Sequence, residues 1–343
     1  MTALPQSRVP DPMAAPPVRW GILGTGMIAG AMAYAVRTGT RSRLSLVGSR
    51  TAESAARFAA EHQVERSVGS YAELVADPEV DIVYVASPHS AHHEHAKLAL
   101  EAGKPVLVEK AFARNARESA DIIETARSAG LFCMEAMWAR FLPHYDVVRQ
   151  LVQDGHLGEV HAVFADHGQL LWPDGPQRLS DPALAGGALL DLGIYPVSFA
   201  QMVLGDLSDV KAIGALTDEG VDANVSIVAA GAAGGEALLS ATMAAKTPTT
   251  ACVAGNLGRI EIDGDFYMPG QVRLVDPDGA VRSRWEYDLG TRHLGLKYEA
   301  AEAARRLTAG AVESPLLPWA TTLSIMETLD EVRRQVGVRY PGE

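Results

Sequence analysis

Three side chains stand out for the chemistry that their types and spacing allow. Lys110 follows directly on the apolar run Val106-Leu107-Val108 and on Glu109. An ammonium at the end of a buried strand can stabilise a nearby oxyanion or lower the pKa of a neighbouring acid. The plain alternative is a lysine that carries its charge out to solvent. Asp191 and Tyr195 are four residues apart, so on a helix they share one face. A tyrosine exchanges a proton near neutrality only if its ordinary pKa of about 10 is lowered, which an ammonium within a few ångströms does. Lys110 could serve. Otherwise Tyr195 is a half-buried helix tyrosine and Asp191 a solvent carboxylate. Pro196 has no N–H to give, so the Leu192 carbonyl loses its usual helical donor, and a kink there would turn Tyr195 toward a cleft.

The stretch that must position Lys110 begins much earlier. Trp20 to Leu23 reads as a strand, Gly24-Thr25-Gly26-Met27-Ile28-Ala29 as a glycine turn, and Gly30 to Val36 as a tightly packed helix. Gly24 permits the turn, Gly26 leaves room for a pyrophosphate, and the small Ala29 lets the helix lie close on its strand. The free N–H groups and positive dipole end of that helix favour a phosphate. One such turn alone is a weak sign; its place at the head of a β-α-β unit makes it a dinucleotide site. The next strand, Leu44 to Ser49, ends in Ser49-Arg50, where NAD enzymes usually place an acidic residue against the ribose 2′-hydroxyl. A hydroxyl and a guanidinium suit a 2′-phosphate instead, so NADP is expected over NAD.

Further β-α units follow at parallel-sheet spacing. Thr51 to Glu61 is a helix, and Ser70 with Glu73 caps a short one. Asp81 to Ser87 is a buried strand stopped by Pro88, His92 to Leu100 a helix, Val106 to Glu109 a strand. Asn115 with Glu118 caps the helix that ends at Gly130, and Leu131 to Glu135 is a strand. In an open parallel sheet, ligands sit beyond the carboxyl ends of the strands. Gly24, Ser49-Arg50, Ser87-Pro88, Glu109-Lys110 and Glu135 all hold such places, so five strand tips should face one crevice. The cofactor contacts expected there are Gly24, Thr25, Gly26, Met27, Ile28, Ser49, Arg50, Ser87, Pro88, His89, His92, Glu109 and Lys110, with Glu109 either orienting the lysine or touching a ribose. The run from His89 to His95 invites a metal, but Pro88 keeps His89 off the helix face of His93 and no second cluster adds ligands. A solvated helix start with a cofactor-loop histidine is expected, and no metal. Trp138, Arg140 and Trp172 are candidate cleft-wall contacts to substrate beside Asp191, though core packing explains them nearly as well.

From about Pro143 the pattern changes. A helix from Val147 to Val152 leads into a strand from Val160 to Asp166, and Gly186-Gly187 opens the helix of Asp191 and Tyr195. Seven closely spaced strand-like runs follow between Val210 and Tyr287, which suggests an antiparallel sheet. Helices near Tyr298 to Thr308 and Ala320 to Val336 cover it or return to the first domain. The fold class is therefore α/β: a parallel-sheet dinucleotide domain over residues 18–140, then a second α/β domain with a mostly antiparallel open sheet over 141–343. Residues 1–17, with five prolines, read as a disordered leader.

The 343 residues, 48% hydrophobic, suffice for two cores. A net charge of −12 argues against nucleic acid or an anionic membrane as partner. Cys133 and Cys252 have no metal-ligand spacing and are expected reduced, in a cytoplasmic protein. No apolar run is expected to have the length of a membrane helix.

Together these residues resemble the glucose-fructose oxidoreductase and inositol dehydrogenase family, Gfo/Idh/MocA, across roughly 18–340. The signs are Gly24-x-Gly26-x-x-Ala29, Ser87-Pro88-x-x-x-His92 where the family has T-P-N-x-x-H, Ala102-Gly103-Lys104-x-Val106-Leu107-Val108-Glu109-Lys110, and Gly186-Gly187 through Tyr195. Ala111 stands where the family has a proline. The resemblance implies a Rossmann domain joined to an α/β domain whose open sheet often dimerises. It implies Lys110 and Tyr195 as the catalytic pair, Tyr195 standing where many relatives carry a histidine, and Asp191 on substrate hydroxyls. Arg50 matches the NADP use of one branch. The expected protein is a hydride-transferring oxidoreductase for a sugar, cyclic polyol or dihydrodiol, working as a homodimer or higher oligomer. Alternatives are an oxidoreductase that retains its cofactor through a sugar-to-sugar or glycoside-cleaving cycle, and a non-catalytic NADP sensor.

Overall fold

Short Val/Ile/Leu-rich runs buried on both faces make parallel strands, because helices must cover both sides of such a sheet. The computed structural model, which describes residues 4–287 and 292–343, shows six of them. They are β1 (Arg19–Leu23), β2 (Arg43–Gly48), β3 (Arg66–Val68), β4 (Ile82–Val85), β5 (Val106–Glu109) and β6 (Cys133–Ala136), in the order β3-β2-β1-β4-β5-β6. All neighbours are parallel. Between them lie α1 (Met27–Gly39), α2 (Ala52–His62), α3 (Tyr71–Ala76), α4 (His92–Glu101) and α5 (Ala116–Ala129). Side chains of Thr51, Ser70 and Asn115 accept N–H bonds at the starts of α2, α3 and α5, as N-caps do. The strand order is the doubly wound one, with its switch point between β1 and β4. The short β3 has no apolar signal in the sequence and was not expected.

The second unit is built on alternation. It contains α6 (Pro143–Gln153), β7 (Val160–Gly168), α7 (Ile194–Leu204), β8 (Leu207–Leu216), β9 (Asp222–Gly231), β10 (Glu236–Thr242), β11 (Ala251–Gly255), β12 (Gly258–Ile262), β13 (Gln271–Val275) and β14 (Val281–Glu286). Their eight-stranded sheet runs β14-β13-β12-β11-β7-β10-β9-β8, antiparallel except where β7 meets β10. On β9, Val225, Ile227 and Ala229 are buried while Ser226 and Val228 are exposed. One face therefore carries the core, as period-two patterning requires.

The chain divides less simply than 18–140 and 141–343. One unit comprises Pro10–Phe141 and Gly290–Thr322, the other Met1–Val9, Leu142–Leu289 and Leu323–Glu343. Thus α8 (Leu296–Thr308) returns to the parallel-sheet unit, and the division falls within α9 (Trp319–Val336). Nor is the described part of the leader free. Arg8 donates from its backbone N–H and its guanidinium to Asp146, at 2.6 and 3.1 Å, and Gln150 donates to the Gln6 carbonyl at 2.9 Å. Leu4, Pro12 and Ala15 are buried. Composition shows the prolines but not the distant donors and acceptors that satisfy this backbone. The expectation of no membrane-length apolar run also fails, since Pro182–Leu204 is long and apolar enough; 89% of its apolar window is buried, as in a core helix.

Candidate functional site

In the parallel-sheet unit, Gly24 has φ +107°, and a Cβ there would lie 2.8 Å from the Ala86 carbonyl, so only glycine closes this turn. Gly26 is the N-cap of α1, which has no side-chain cap, and a Cβ there would meet nothing within 4 Å. Ala29 is fully buried, and Met27 is 80% exposed. At the tip of β2, Ser49 lies with its hydroxyl 3.4 Å from that of Thr25. Arg50 is exposed and makes no ion pair among the described residues. The Tyr71 and His95 rings meet edge-on at 4.7 Å, and burial lowers the pKa of His95. At the tip of β4, the buried Ser87 hydroxyl has no partner among the described residues, and Pro88 is exposed. An uncapped helix start, open space over Gly26, an orphaned hydroxyl and an unpaired guanidinium fit a dinucleotide with an extra phosphate.

The Lys110 loop is tied down residue by residue. Glu109 accepts the Lys110 N–H at 3.2 Å and also takes the Tyr84 hydroxyl. The His92 ring lies with Nδ1 2.8 Å from the Ala111 carbonyl and Nε2 2.8 Å from the Ser87 carbonyl. Glu135 accepts the Phe112 N–H at 3.2 Å and the Thr322 hydroxyl at 3.3 Å. The Lys110–Ala111 peptide bond is cis. Two expectations are thereby corrected. His92, expected to touch cofactor, is 0% exposed and joins two loops from beneath; burial lowers its pKa to about 4, so it is neutral and donates to one carbonyl at a time. Glu135, expected at a strand tip facing ligand, is 1% exposed, and burial raises its pKa to about 7. Glu299 of α8 is fully buried, and burial with the charges of Glu109 and Glu135 raises its pKa well above the carboxylate range. His89, Trp138 and Arg140 are also buried, the last two on a 3₁₀ turn after β6. His93 pairs with Asp121 at 2.6 Å. Among the described residues no group of three or more His, Cys, Asp or Glu side chains is placed to hold a metal.

In the other unit the diglycine is where three supports converge. A Cβ on Gly186 would lie 2.4 Å from the Leu179 carbonyl, and one on Gly187 2.2 Å from the Asp222 carboxylate. Tyr340 donates to the Gly186 carbonyl at 2.7 Å. Asp222 accepts the Leu189 N–H at 2.6 Å at the helix start; it is fully buried, and burial raises its pKa to about 7. Leu189–Gly193 then winds as a π-helix before α7, a widening that recurs at functional sites. Pro196 withholds its N–H from the Leu192 carbonyl, and the His167 ring supplies a donor, Nδ1 lying 3.1 Å from that oxygen. With that nitrogen donating, Nε2 can accept from Gln169 at 2.9 Å. The Tyr195 ring centroid lies 5.3 Å from that of His167 and 4.5 Å from that of Tyr267. Asp191 is paired with Arg178, both guanidinium nitrogens standing 3.1 Å from Oδ1. Trp172, half-buried, precedes Pro173 through a cis bond.

Sequence reasoning missed His167, Tyr267, Arg178 and Asp222. Only His167 left a signal: a donor owed to Leu192 could have been sought among strand-end histidines.

The fold is that of a dinucleotide-dependent oxidoreductase. A family model described as an oxidoreductase family with an NAD-binding Rossmann fold matches residues 18–137, and the GFO/IDH/MocA C-terminal domain matches 145–264. The chain belongs to the Gfo/Idh/MocA oxidoreductase family and is an NAD(P)-dependent enzyme. It is 33% identical to trans-1,2-dihydrobenzene-1,2-diol dehydrogenase of Xenopus tropicalis, over 94% of this chain and 99% of that one. It is 35% identical to the D-xylose 1-dehydrogenase (NADP+) of Hypocrea jecorina, over 94% and 93%. Among solved structures, the 3-ketoreductase KijD10 of Actinomadura kijaniata, in complex with NADP and TDP-benzene, is 25% identical with a TM-score of 0.79, covering 94% and 98%. A levoglucosan dehydrogenase complexed with NADH and levoglucosan has a TM-score of 0.84 at 19% identity, over 94% and 98%, and so shares the fold.

Proposed function

We propose that this chain is an NADP-dependent dehydrogenase or carbonyl reductase for a sugar, cyclic polyol or trans-dihydrodiol. The reading is carried by its full-length similarity to enzymes named for a dihydrodiol and for D-xylose. NADP is favoured over NAD by the unpaired, exposed Arg50. When bound, the nicotinamide supplies the hydride chemistry. The Tyr195 Oη takes the substrate hydroxyl proton during oxidation and returns it during reduction. Lys110 Nζ offsets the negative charge that develops on the oxygen, and Asp191 accepts a bond from a further substrate hydroxyl.

The second unit's sheet also bears on assembly. Phe164, Leu238 and Val228 stand in register across β7, β10 and β9 on its outer face, each more than a third exposed. Such a row favours a second copy of this chain as its partner. With both cysteines free, a cytoplasmic location accords with the same reading.

Pentoses, hexoses, inositols, anhydro sugars and trans-dihydrodiols, assayed at the nicotinamide absorbance with NADP and NAD in parallel, test the function. Turnover with at least one of them, faster with NADP, is expected. No turnover with any, by protein that binds NADP, would refute it.

A further inference from the structure

Tyr340 lies far along the chain from the residues proposed for the reaction, yet its hydroxyl reaches the backbone from which their helix starts. The residues after α9 bring it there. Gly337, at φ +93°, ends that helix, and its N–H and that of Val338 both donate to the Arg333 carbonyl, at 2.8 and 3.1 Å, as at a glycine-terminated helix. Val338 and Tyr340 are each 4% exposed. The Arg333 guanidinium lies 4.7 Å from the Tyr340 ring centroid and donates to Glu343 at 2.8 and 3.1 Å, while Glu343 also takes the Tyr340 N–H at 3.1 Å. The tyrosine is thus fixed at its ring and at its backbone. Burial holds its pKa above the ordinary tyrosine value, so the phenol keeps its proton. That proton goes to the Gly186 carbonyl, 2.7 Å away in space and 154 residues away in sequence.

Gly186-Gly187 is a joint between the segment that follows β7 and the π-helical turn of Asp191. Two residues without Cβ atoms leave the backbone more freedom than any other pair, and Gly187 uses it, at φ +110°. The N–H groups of the joint are tied on one side, Gly186 donating to the Asp181 carbonyl at 3.1 Å and Gly187 to the Leu179 carbonyl at 2.9 Å. Beyond it, Asp222 takes the Leu189 N–H. The Gly186 carbonyl lies between these ties, and Tyr340 holds it. A turn of that peptide plane would re-aim everything that the following helix carries. We propose that Tyr340 is a positioning residue for the reaction: by holding the Gly186 carbonyl it sets the start of the helix that bears Asp191 and Tyr195. The inference rests on the functional reading above, with those two side chains at the substrate.

The test compares wild type with Tyr340→Phe and Val338→Ala, well below the unfolding midpoint of each, on whichever of the sugars and diols above the wild type turns over fastest. Tyr340→Phe keeps the ring and removes only the donor. Its kcat should fall by about tenfold, since small misplacements of reacting groups are costly, while the affinity for NADP stays near wild type and amide exchange at Gly187 becomes faster. Val338→Ala removes buried apolar contact from the same segment without touching the joint. It should lower the unfolding midpoint but keep kcat within about twofold of wild type, which separates positioning from mere stability. Should Tyr340→Phe not fold, Arg333→Lys, which loses the guanidinium fork beside the ring but leaves the hydroxyl, should lower kcat about threefold. Unchanged kcat in folded Tyr340→Phe or, in its place, in Arg333→Lys would overturn the inference, as would an equal loss of kcat in Val338→Ala. If the wild type turns over none of the substrates, the functional reading fails and this inference with it, an outcome distinct from an active wild type matched by Tyr340→Phe.

Discussion

The two units hold the side chains proposed above for the reaction by opposite means. Lys110 stands on a loop, and the loop is pinned from outside its own backbone by Glu109, His92 and Glu135. Tyr195 and Asp191 stand on a helix, whose own hydrogen bonds do most of that work, so support is needed only at its start, from Asp222, and at the gap left by Pro196, from His167. A loop has no repeating hydrogen-bond pattern to define it, whereas a helix lacks partners chiefly at its ends. Both units end up burying a carboxyl group as a backbone acceptor, Glu135 in one and Asp222 in the other. Burial raises each to about 7.

The largest expected effect would show whether such different supports serve one event. If Lys110 and Tyr195 act in the same proton-transfer step, Lys110→Met, Tyr195→Phe and the double variant should each lose about 10²- to 10⁴-fold in kcat. The double variant should be little worse than either single one, while NADP affinity measured by nucleotide fluorescence stays near wild type. Losses that multiply would assign the two residues to separate steps.

Next in size are the buried carboxyls. Replacing either acceptor by alanine, Glu135→Ala or Asp222→Ala, should cost on the order of 2 kcal/mol, the value of a buried bond to a charged or capping group. Protection against amide exchange should fall locally, at Phe112 in one variant and Leu189 in the other. The pH dependence has a fixed sign. A carboxyl whose folded pKa is raised above its ordinary value of 4.5 or 3.8 contributes fully below that value, and the contribution is lost as pH rises through about 7. Wild type should therefore lose stability relative to Glu135→Gln, and relative to Asp222→Asn, as pH is raised from about 5 to 8. His92 and His144, both lowered to about 4 by burial, titrate in the opposite sense but are common to each pair compared. A pH-independent difference in unfolding midpoint would remove the buried-acid account.

How much of this was legible in the sequence differs between the two units for the same physical reason. The glycine turn, the caps at Ser70 and Asn115, and the strand ends at Ser49 and Glu109 are local, and local chemistry can be read along the chain. The partnership of Glu135 with Phe112 and Thr322 is not local, nor is that of Asp222 with Leu189, 33 residues away. Apolar periodicity places such residues inside but cannot say which backbone N–H they accept. The sequence left α8 two places, over the second sheet or back with the first domain, for a related reason: an amphipathic helix shows that it covers something, not which sheet, and α8 takes the second of them. Ser87-Pro88-x-x-x-His92 was legible as a motif, and its ring was misassigned to ligand because motif spacing carries no depth.

Arg50 offers a smaller test within the parallel-sheet unit, where one exposed side chain rather than a buried network sets the outcome. Arg50→Ala should raise the KM for NADP by roughly tenfold, the worth of one charge-assisted bond to a phosphate, and leave that for NAD almost unchanged. Equal effects on both cofactors would mean that the arginine does not meet the 2′-phosphate.

The smallest effect separates helix from loop most directly. His167→Leu removes the donor to the Leu192 carbonyl and should cost about 1 kcal/mol in thermal unfolding, with a fall in kcat as the Tyr195 ring loses its neighbour. Pro196→Ala gives the backbone an N–H at the position from which an α-helix would serve that carbonyl. In the double variant the helix can therefore repair itself, and part of the lost stability should return. No single substitution can do this for Phe112, because a loop has no neighbouring turn to take over the role of Glu135. If Pro196→Ala adds to the loss in the His167→Leu background, the π-turn rather than the missing N–H is what the histidine supports, and the helix is as dependent on outside side chains as the loop.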